Sequence, residues 1–284
     1  MKLSVFYDHI LEANRQSKIP TADISNRCRE WGIQAVELDY SYLKEHHLTL
    51  LPELSNAGLQ ISCLYGFFDF GRNSDTSSAQ EMLRTAASLS VRKVLIIPGS
   101  LDPTEANLLN SLRSDRDATW QFMDQSQAIR SMKLALSELT ALGKELSVTV
   151  TLEDFDGDVQ PFHCKNQLLW FMKNVPDLRY TLDMGNFAFC DEDVMLSFEA
   201  LQDYIVHVHC KDRAFDPSSS GIFCHGMGPC QAGGGYLPIR QLIELLKQQG
   251  YDDYLAIEHF GAPCQLTAIR QSAHYLQSCI NGDL

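Results

Sequence analysis

The chain has 284 residues, 45% of them hydrophobic, which is enough to bury one large core. Its formal net charge of −13 argues against a nucleic-acid surface, since phosphate binding is built on clustered Lys and Arg. Nine cysteines, an odd number without a Cys-x-x-Cys pair, argue against a disulfide scaffold. Cys28, Cys63, Cys210 and Cys279 fall in apolar patterns, where a thiol behaves as a small hydrophobe. The N-terminus runs straight into a strand without signal-peptide anatomy, and no apolar run reaches about 18 residues. The expectation is a cytoplasmic protein with no membrane segment.

In chain order, residues 3–7 read as a strand and residues 21–31 as a helix stopped by Gly32. Residues 35–38 form a second strand, 50–57 a short helix ended by Gly58, and 59–64 a third strand. Ser78 and Glu81 make a capping box for a helix running to Leu89. Residues 94–97 are a continuous apolar run, as in a strand covered on both faces. Residues 101–118 are polar, include Asp102-Pro103, and read as a long loop serving as a lid or insertion. A long helix over 120–142 follows, stopped by Gly143. Strand 147–152 ends at Glu153, helix 165–174 follows, strand 178–182 ends at Asp183, and strand 205–209 ends at His209. Residues 214–236 form a Gly-rich loop and 239–248 a helix. An eighth strand, 254–257, ends at Glu258, and a helix over 265–277 closes the chain. Eight strand–helix alternations predict an α/β fold, a single-domain (β/α)8 TIM barrel over residues 1–284. The rival is an open doubly wound sheet, weakened by the lack of a Gly-x-Gly-x-x-Gly turn after the first strand.

In such a barrel, chemistry gathers beyond the carboxyl ends of the strands. Side chains alternate along a strand, so Thr149, Thr151 and Glu153 share a face. The same holds for Thr181 with Asp183, for Ala256 with Glu258, and for His207, His209 and Lys211. With the polar faces inward, Glu153, Asp183, His209 and Glu258 converge at the mouth from strands five to eight. Three carboxylates and one imidazole suit Mn2+ or Mg2+ and tolerate Co2+ or Zn2+. A lone strand-terminal carboxylate is more often a solvated end or a cap, but four ligand types on four successive strands are hard to obtain by accident. His207, one layer deeper, reads as a hydrogen-bonded core or supporting residue. Lys211 and Arg213 are suited to a hydroxyl, a carboxylate or a phosphate, and His225 to a substrate contact from the Gly-rich loop. Cys224, His225 and Cys230 lack the paired spacing of a second metal site. Tyr7, Tyr65, Phe67 and Phe68 fall at strand ends, where they either stack on a sugar or pack the rim. His46, His47 and His274 read as surface residues.

The segments Thr151-Leu-Glu153-Asp-Phe155, Leu182-Asp183-Met-Gly-Asn186, His207-Val-His209-Cys-Lys211-Asp212 and Gly250-Tyr-Asp-Asp-Tyr-Leu-Ala-Ile-Glu258-His259 carry a family resemblance. The chain resembles the xylose-isomerase-like TIM-barrel superfamily of sugar isomerases and epimerases. That group includes tagatose 3-epimerase, hydroxypyruvate isomerase, inosose dehydratase and endonuclease IV. The resemblance spans nearly the whole chain and is most specific from residue 147 onward. It implies one divalent ion, Mn2+ first, held by Glu153, Asp183, His209 and Glu258, with Glu153 and Glu258 doubling as the acid/base pair. It also implies a small-molecule sugar or polyol substrate, with Asn186 among its contacts. The expected reaction is isomerisation or epimerisation by proton transfer through an enediolate. A homo-oligomer stays open. The endonuclease branch carries extra histidines three residues after the strand-six Asp and at the end of strand four. Here Asn186 and Pro98-Gly99 stand in those places, so a trinuclear zinc site lacks ligands. An inosose-dehydratase-like lyase and a non-catalytic sugar-binding barrel are the remaining alternatives.

Overall fold

Short β-branched runs alternate with amphipathic segments, and each takes the backbone form that hides its apolar side. In the computed structural model, which describes residues 1–216 and 225–283, the parallel strands begin with β1 (Lys2–Phe6), β2 (Ile33–Asp39), β3 (Gln60–Phe67) and β4 (Lys93–Ile97). They continue with β5 (Thr149–Glu153), β6 (Arg179–Asp183) and β7 (Ile205–Phe215). Next come β8 (His225–Cys230), antiparallel to β7, and β9 (Tyr254–Glu258). The hydrogen-bonded order is β6-β5-β4-β3-β2-β1-β9-β7, and β6 also pairs with β7. Eight parallel strands therefore close into one barrel, with α-helices in the connections.

Two compact units divide the chain: residues 1–62 with 207–284, and residues 63–206. In the first, Val5, Val36, Leu38, Val208, Leu255 and Ile257 are buried along their strands. In the second, Val94, Ile96, Val150, Leu152 and Leu182 are. Each such side chain contributes about 1.5–3 kcal/mol when removed from water. Register then decides which polar groups meet. Lys211 on β7 lies opposite Glu258 on β9, and His209 opposite Ala256. In the second unit, Glu153 on β5 lies opposite Thr181 on β6.

The strands follow the sequence expectation, while several connections do not. Residues 101–118 are not a loop: helices Pro103–Ser111 and Arg116–Gln125 occupy most of the segment. Asp102 caps the first through the N–H groups of Thr104 and Glu105, with Pro103 in the first turn, where its missing N–H costs nothing. The expected helix over 120–142 is broken at Ser126, whose hydroxyl accepts from Ile129 N–H and starts a new helix, Gln127–Leu146. A helix over Tyr7–Ser17 was absent from the sequence reading, and the one expected over 50–57 begins at Tyr40 behind the Asp39 cap. In the Gly-rich segment, β7 extends to Phe215 and β8 returns beside it, with Phe215 opposite His225. Cys224 and the side chain of His225 lie outside the described residues.

Candidate metal centre

The first unit gathers His207, His209, Lys211, Glu37 and Glu258, all at most 8% exposed. Parallel register sets Lys211 beside Glu258, and Nζ reaches Oε1 at 2.6 Å. The other oxygen, Oε2, lies 3.2 Å from His209 Nδ1 and takes no hydrogen bond among the described residues. Across the same imidazole, His209 Nε2 meets Glu37 Oε1 at 3.1 Å, and His207 Nε2 meets Glu37 Oε2 at 2.8 Å. Burial alone would raise the Glu258 pKa, but the Lys211 ammonium and then His209 overrule it and hold the carboxyl below the usual range. Glu37 is held down in the same way, burial being outweighed by His209 and His207. Two buried carboxylates are therefore anionic here.

This arrangement fits a divalent ion. A ligating histidine normally gives its second ring N–H to a carboxylate, which fixes the tautomer and turns the other nitrogen toward the metal. Glu37 occupies that second position for His209. Donors on bonds of about 2.1 Å at right angles lie about 3 Å apart, close to the 3.2 Å between His209 Nδ1 and Glu258 Oε2. Next to Glu258, His259 and His9 stack with ring centroids 4.6 Å apart, and His259 N–H donates to His9 Nε2 at 2.9 Å. Accepting at Nε2 makes His9 the neutral Nδ1–H tautomer. Burial lowers the His259 pKa to about 4, and burial followed by the neighbouring His259 lowers that of His9 as well.

The second unit brings together the ends of β5 and β6. Thr181 Oγ1 donates to Thr151 Oγ1 at 2.8 Å, so the face carrying Thr151 and Glu153 is also that of Thr181 and Asp183, as alternation requires. Asp183 Oδ1 accepts from Gly185 N–H at 2.7 Å. On the opposite face, Asp154 is fully buried and accepts from Tyr180 Oη at 2.6 Å and from Asp183 N–H at 3.0 Å. Burial, then the Asp183 charge, push the Asp154 pKa up. Asn186 is 1% exposed and donates from Nδ2 to the Asp154 carbonyl at 2.7 Å, tying the β6 turn to β5. Glu153 is also buried.

Of the other expected site residues, Lys211 is engaged by Glu258, and Arg213 Nη1 donates to the Met227 carbonyl at 3.1 Å. Between them, Asp212 faces away and accepts four backbone N–H groups, from Arg213, Gly233, Gly235 and Leu237. Tyr7 Oη donates to Glu53 at 3.0 Å, and Phe68 stacks on Phe70, whereas Phe67 is 61% exposed. Glu37 and Asp154 were missed by sequence reasoning. The available signal for Glu37 was a charged residue inside the apolar run of β2, between Val36 and Leu38. The described residues also include buried groups of His, Cys, Asp and Glu side chains able to offer ligand atoms to an ion.

A closed parallel barrel with carboxylates ending three of its strands and buried histidines on a fourth defines a class of protein, and comparison with known proteins agrees. The model of the xylose isomerase-like TIM barrel family matches residues 26–279, and the chain belongs to that family. No curated protein matches the sequence. Among solved structures, a D-tagatose 3-epimerase-like protein is 18% identical with a TM-score of 0.69, covering 100% of both chains. The probable 3-DHS dehydratase of Bacillus anthracis is 17% identical with a TM-score of 0.70, covering 98% of this chain and 99% of its own. A xylose isomerase-like TIM-barrel protein from Mycobacterium smegmatis, solved with magnesium, is 17% identical with a TM-score of 0.62, covering 92% and 88%. Among the described residues, no helix is long and apolar enough to cross a membrane.

Proposed function

We propose that this chain is a divalent-metal-dependent isomerase or epimerase acting on a sugar or a related hydroxy-ketone. The observation that carries the reading is the Glu37–His209–Glu258–Lys211 chain, in which a carboxylate fixes the imidazole and an ammonium keeps the second carboxylate ionised. Glu153 and Asp183 are assigned to the same ion as His209 and Glu258, because they are buried carboxylates that likewise end barrel strands. Such an oxygen-rich set favours Mn2+ or Mg2+. When bound, the ion supplies Lewis-acid polarisation of a carbonyl and its neighbouring hydroxyl.

Glu258 is assigned to proton removal. Its carboxylate is anionic and buried, and proton transfer by a positioned side chain contributes about 10²–10⁴-fold. In the two-base route Glu153 starts protonated and gives that proton to the other side of the enediolate, after which Glu258 loses the abstracted proton to solvent. In the one-base route Glu258 returns it to the adjacent carbon. Lys211 steadies the charge on Glu258 and, with Arg213, Asn186 and His225, is assigned to substrate oxygens. Turnover of a ketose panel in deuterated water tests the reading: solvent deuterium should enter at the carbon next to the carbonyl. Complete exclusion of deuterium, also in single turnovers that rule out a sealed site, would overturn proton transfer. Elemental analysis of His209→Ala tests the ligand set, and undiminished metal in a folded variant would refute it.

A dehydratase is the second reading, favoured by the Lys211 ammonium beside Glu258, which can protonate a departing β-hydroxyl after the same proton removal. The products separate the two, since only the lyase releases water and forms a conjugated ketone.

A further inference from the structure

We propose that Cys164, Cys190 and Glu192 form a second metal site, for a thiophilic d10 cation of the Zn2+ class, independent of the barrel-end residues. One ligand atom from each side chain lies within 4.8 Å of the other two. Both thiols are buried, Cys164 completely and Cys190 at 3% exposure.

Local structure brings the three together. Cys164 is the N-cap of helix Lys165–Asn174, its N–H accepted by Gln167 Oε1 at 3.4 Å. Cys190 ends a 3-10 turn, Phe187–Cys190, and Asp191 then takes a left-handed conformation with φ 54°. That reversal directs Glu192 N–H onto the Phe187 carbonyl at 3.1 Å. The Glu192 carboxylate in turn accepts from the Lys165 N–H at the helix start, Oε2 to N 2.7 Å. The carboxylate is thus anchored on one oxygen.

Tetrahedral zinc with Zn–S bonds of about 2.3 Å needs its sulfurs about 3.8 Å apart. Atoms already inside 4.8 Å need close by no more than about 1 Å. Without metal, Cys190 Sγ–H donates to the His163 carbonyl at 3.4 Å, so binding exchanges weak thiol hydrogen bonds for metal–sulfur bonds and releases two protons to solvent. Two thiolates and a carboxylate carry three negative charges against two on the ion. The Arg113 guanidinium, which acts electrostatically on both Cys164 and Glu192, supplies the balancing charge. Burial raises the Glu192 pKa, so this carboxylate also gains from a cation.

The test is Co2+ titration of the full chain, stripped by chelator and kept reduced. A sulfur-to-cobalt charge-transfer band should appear in the wild type and persist in His209→Ala, because the barrel-end ligands proposed above contain no sulfur. It should vanish in Cys164→Ser and Cys190→Ser, and Glu192→Gln should bind Co2+ at least about tenfold more weakly. Zn2+ should displace the cobalt and protect Cys164 and Cys190 from alkylation, as mapped by mass spectrometry. If the serine variants do not fold, protection in the wild type decides. No band, a band that survives in Cys190→Ser, or a Cys164–Cys190 disulfide whose reduction yields no Zn2+ protection would each overturn the proposal.

Discussion

Replacing Glu37 by Gln should be the most damaging single-atom-scale change in the first unit. The carboxylate is fully buried and receives two imidazoles, at 2.8 and 3.1 Å. Each imidazole N–H faces a charged acceptor, a bond that contributes about 1.5–3 kcal/mol, so weakening both costs about 3–5 kcal/mol. The amide offers one acceptor where two are needed and turns an N–H donor toward the second imidazole. At this chain length a kcal/mol is roughly 1.5–2 °C of melting temperature, so the metal-free Glu37→Gln protein should melt about 5–9 °C below the wild type. A cycle with His207→Gln isolates the interaction, and the double variant should lose at least about 1 kcal/mol less than the sum of the singles. Denaturant titration under chelator measures each corner. Additivity within about 0.5 kcal/mol, with a melting shift under about 2 °C, would refute the view that Glu37 orders the two histidines.

On the proposed mechanism Glu258→Gln removes a base and an ionic ligand together, and steady-state turnover should fall at least about 10³-fold, or about 4 kcal/mol. In Lys211→Met, Glu258 loses the charge that depresses its pKa, so the acidic limb of the pH–rate profile should move to higher pH; an unmoved limb would detach Lys211 from this role. His259 is depressed to about 4 from an ordinary value of 6.5. The unfolded state therefore binds the proton first, and stability present above about pH 6.5 is lost as pH falls toward 4, by at most about 3 kcal/mol. His259→Phe should flatten that part of the denaturation profile. Cys264 is exposed and its thiol pKa is lowered by hydrogen bonding with Thr267, whereas burial pushes Cys28 up to about 12. Alkylation mapped by mass spectrometry should therefore label Cys264 well before Cys28.

That Glu153, Asp183 and Glu258 end strands and that His209 lies on one was legible, because a strand has period two and each of these residues follows an apolar run. The register that sets Lys211 opposite Glu258 follows from the same periodicity once β7 and β9 are neighbours. Glu37 was not legible. Its partners lie 170 and 172 residues away, and one Glu in a short strand looks the same whether it faces water or two histidines. Asp154 was hidden by its neighbour, since alternation sends Glu153 and Asp154 to opposite faces and only one joined the strand-end pattern. The helices at Pro103–Ser111 and Arg116–Gln125 were obscured by polar composition, although Asp102-Pro103 was a start signal. Nothing in the spacing of Cys164 and Cys190 marks them as neighbours, because the turn that joins them depends on a left-handed Asp191.

The four N–H groups around Asp212 form the kind of cradle that elsewhere grips a phosphate. Here the anion is a side chain, tethered by its own backbone, and a Cβ on Gly235 would meet it at 2.2 Å. Residues 233–237 are thus moulded around an internal ligand that cannot diffuse away. An acidic metabolite cannot be captured at this turn unless Asp212 first withdraws, stranding its donors at about 1–3 kcal/mol for each that stays buried. The turn is an anion hole already filled by its own side chain.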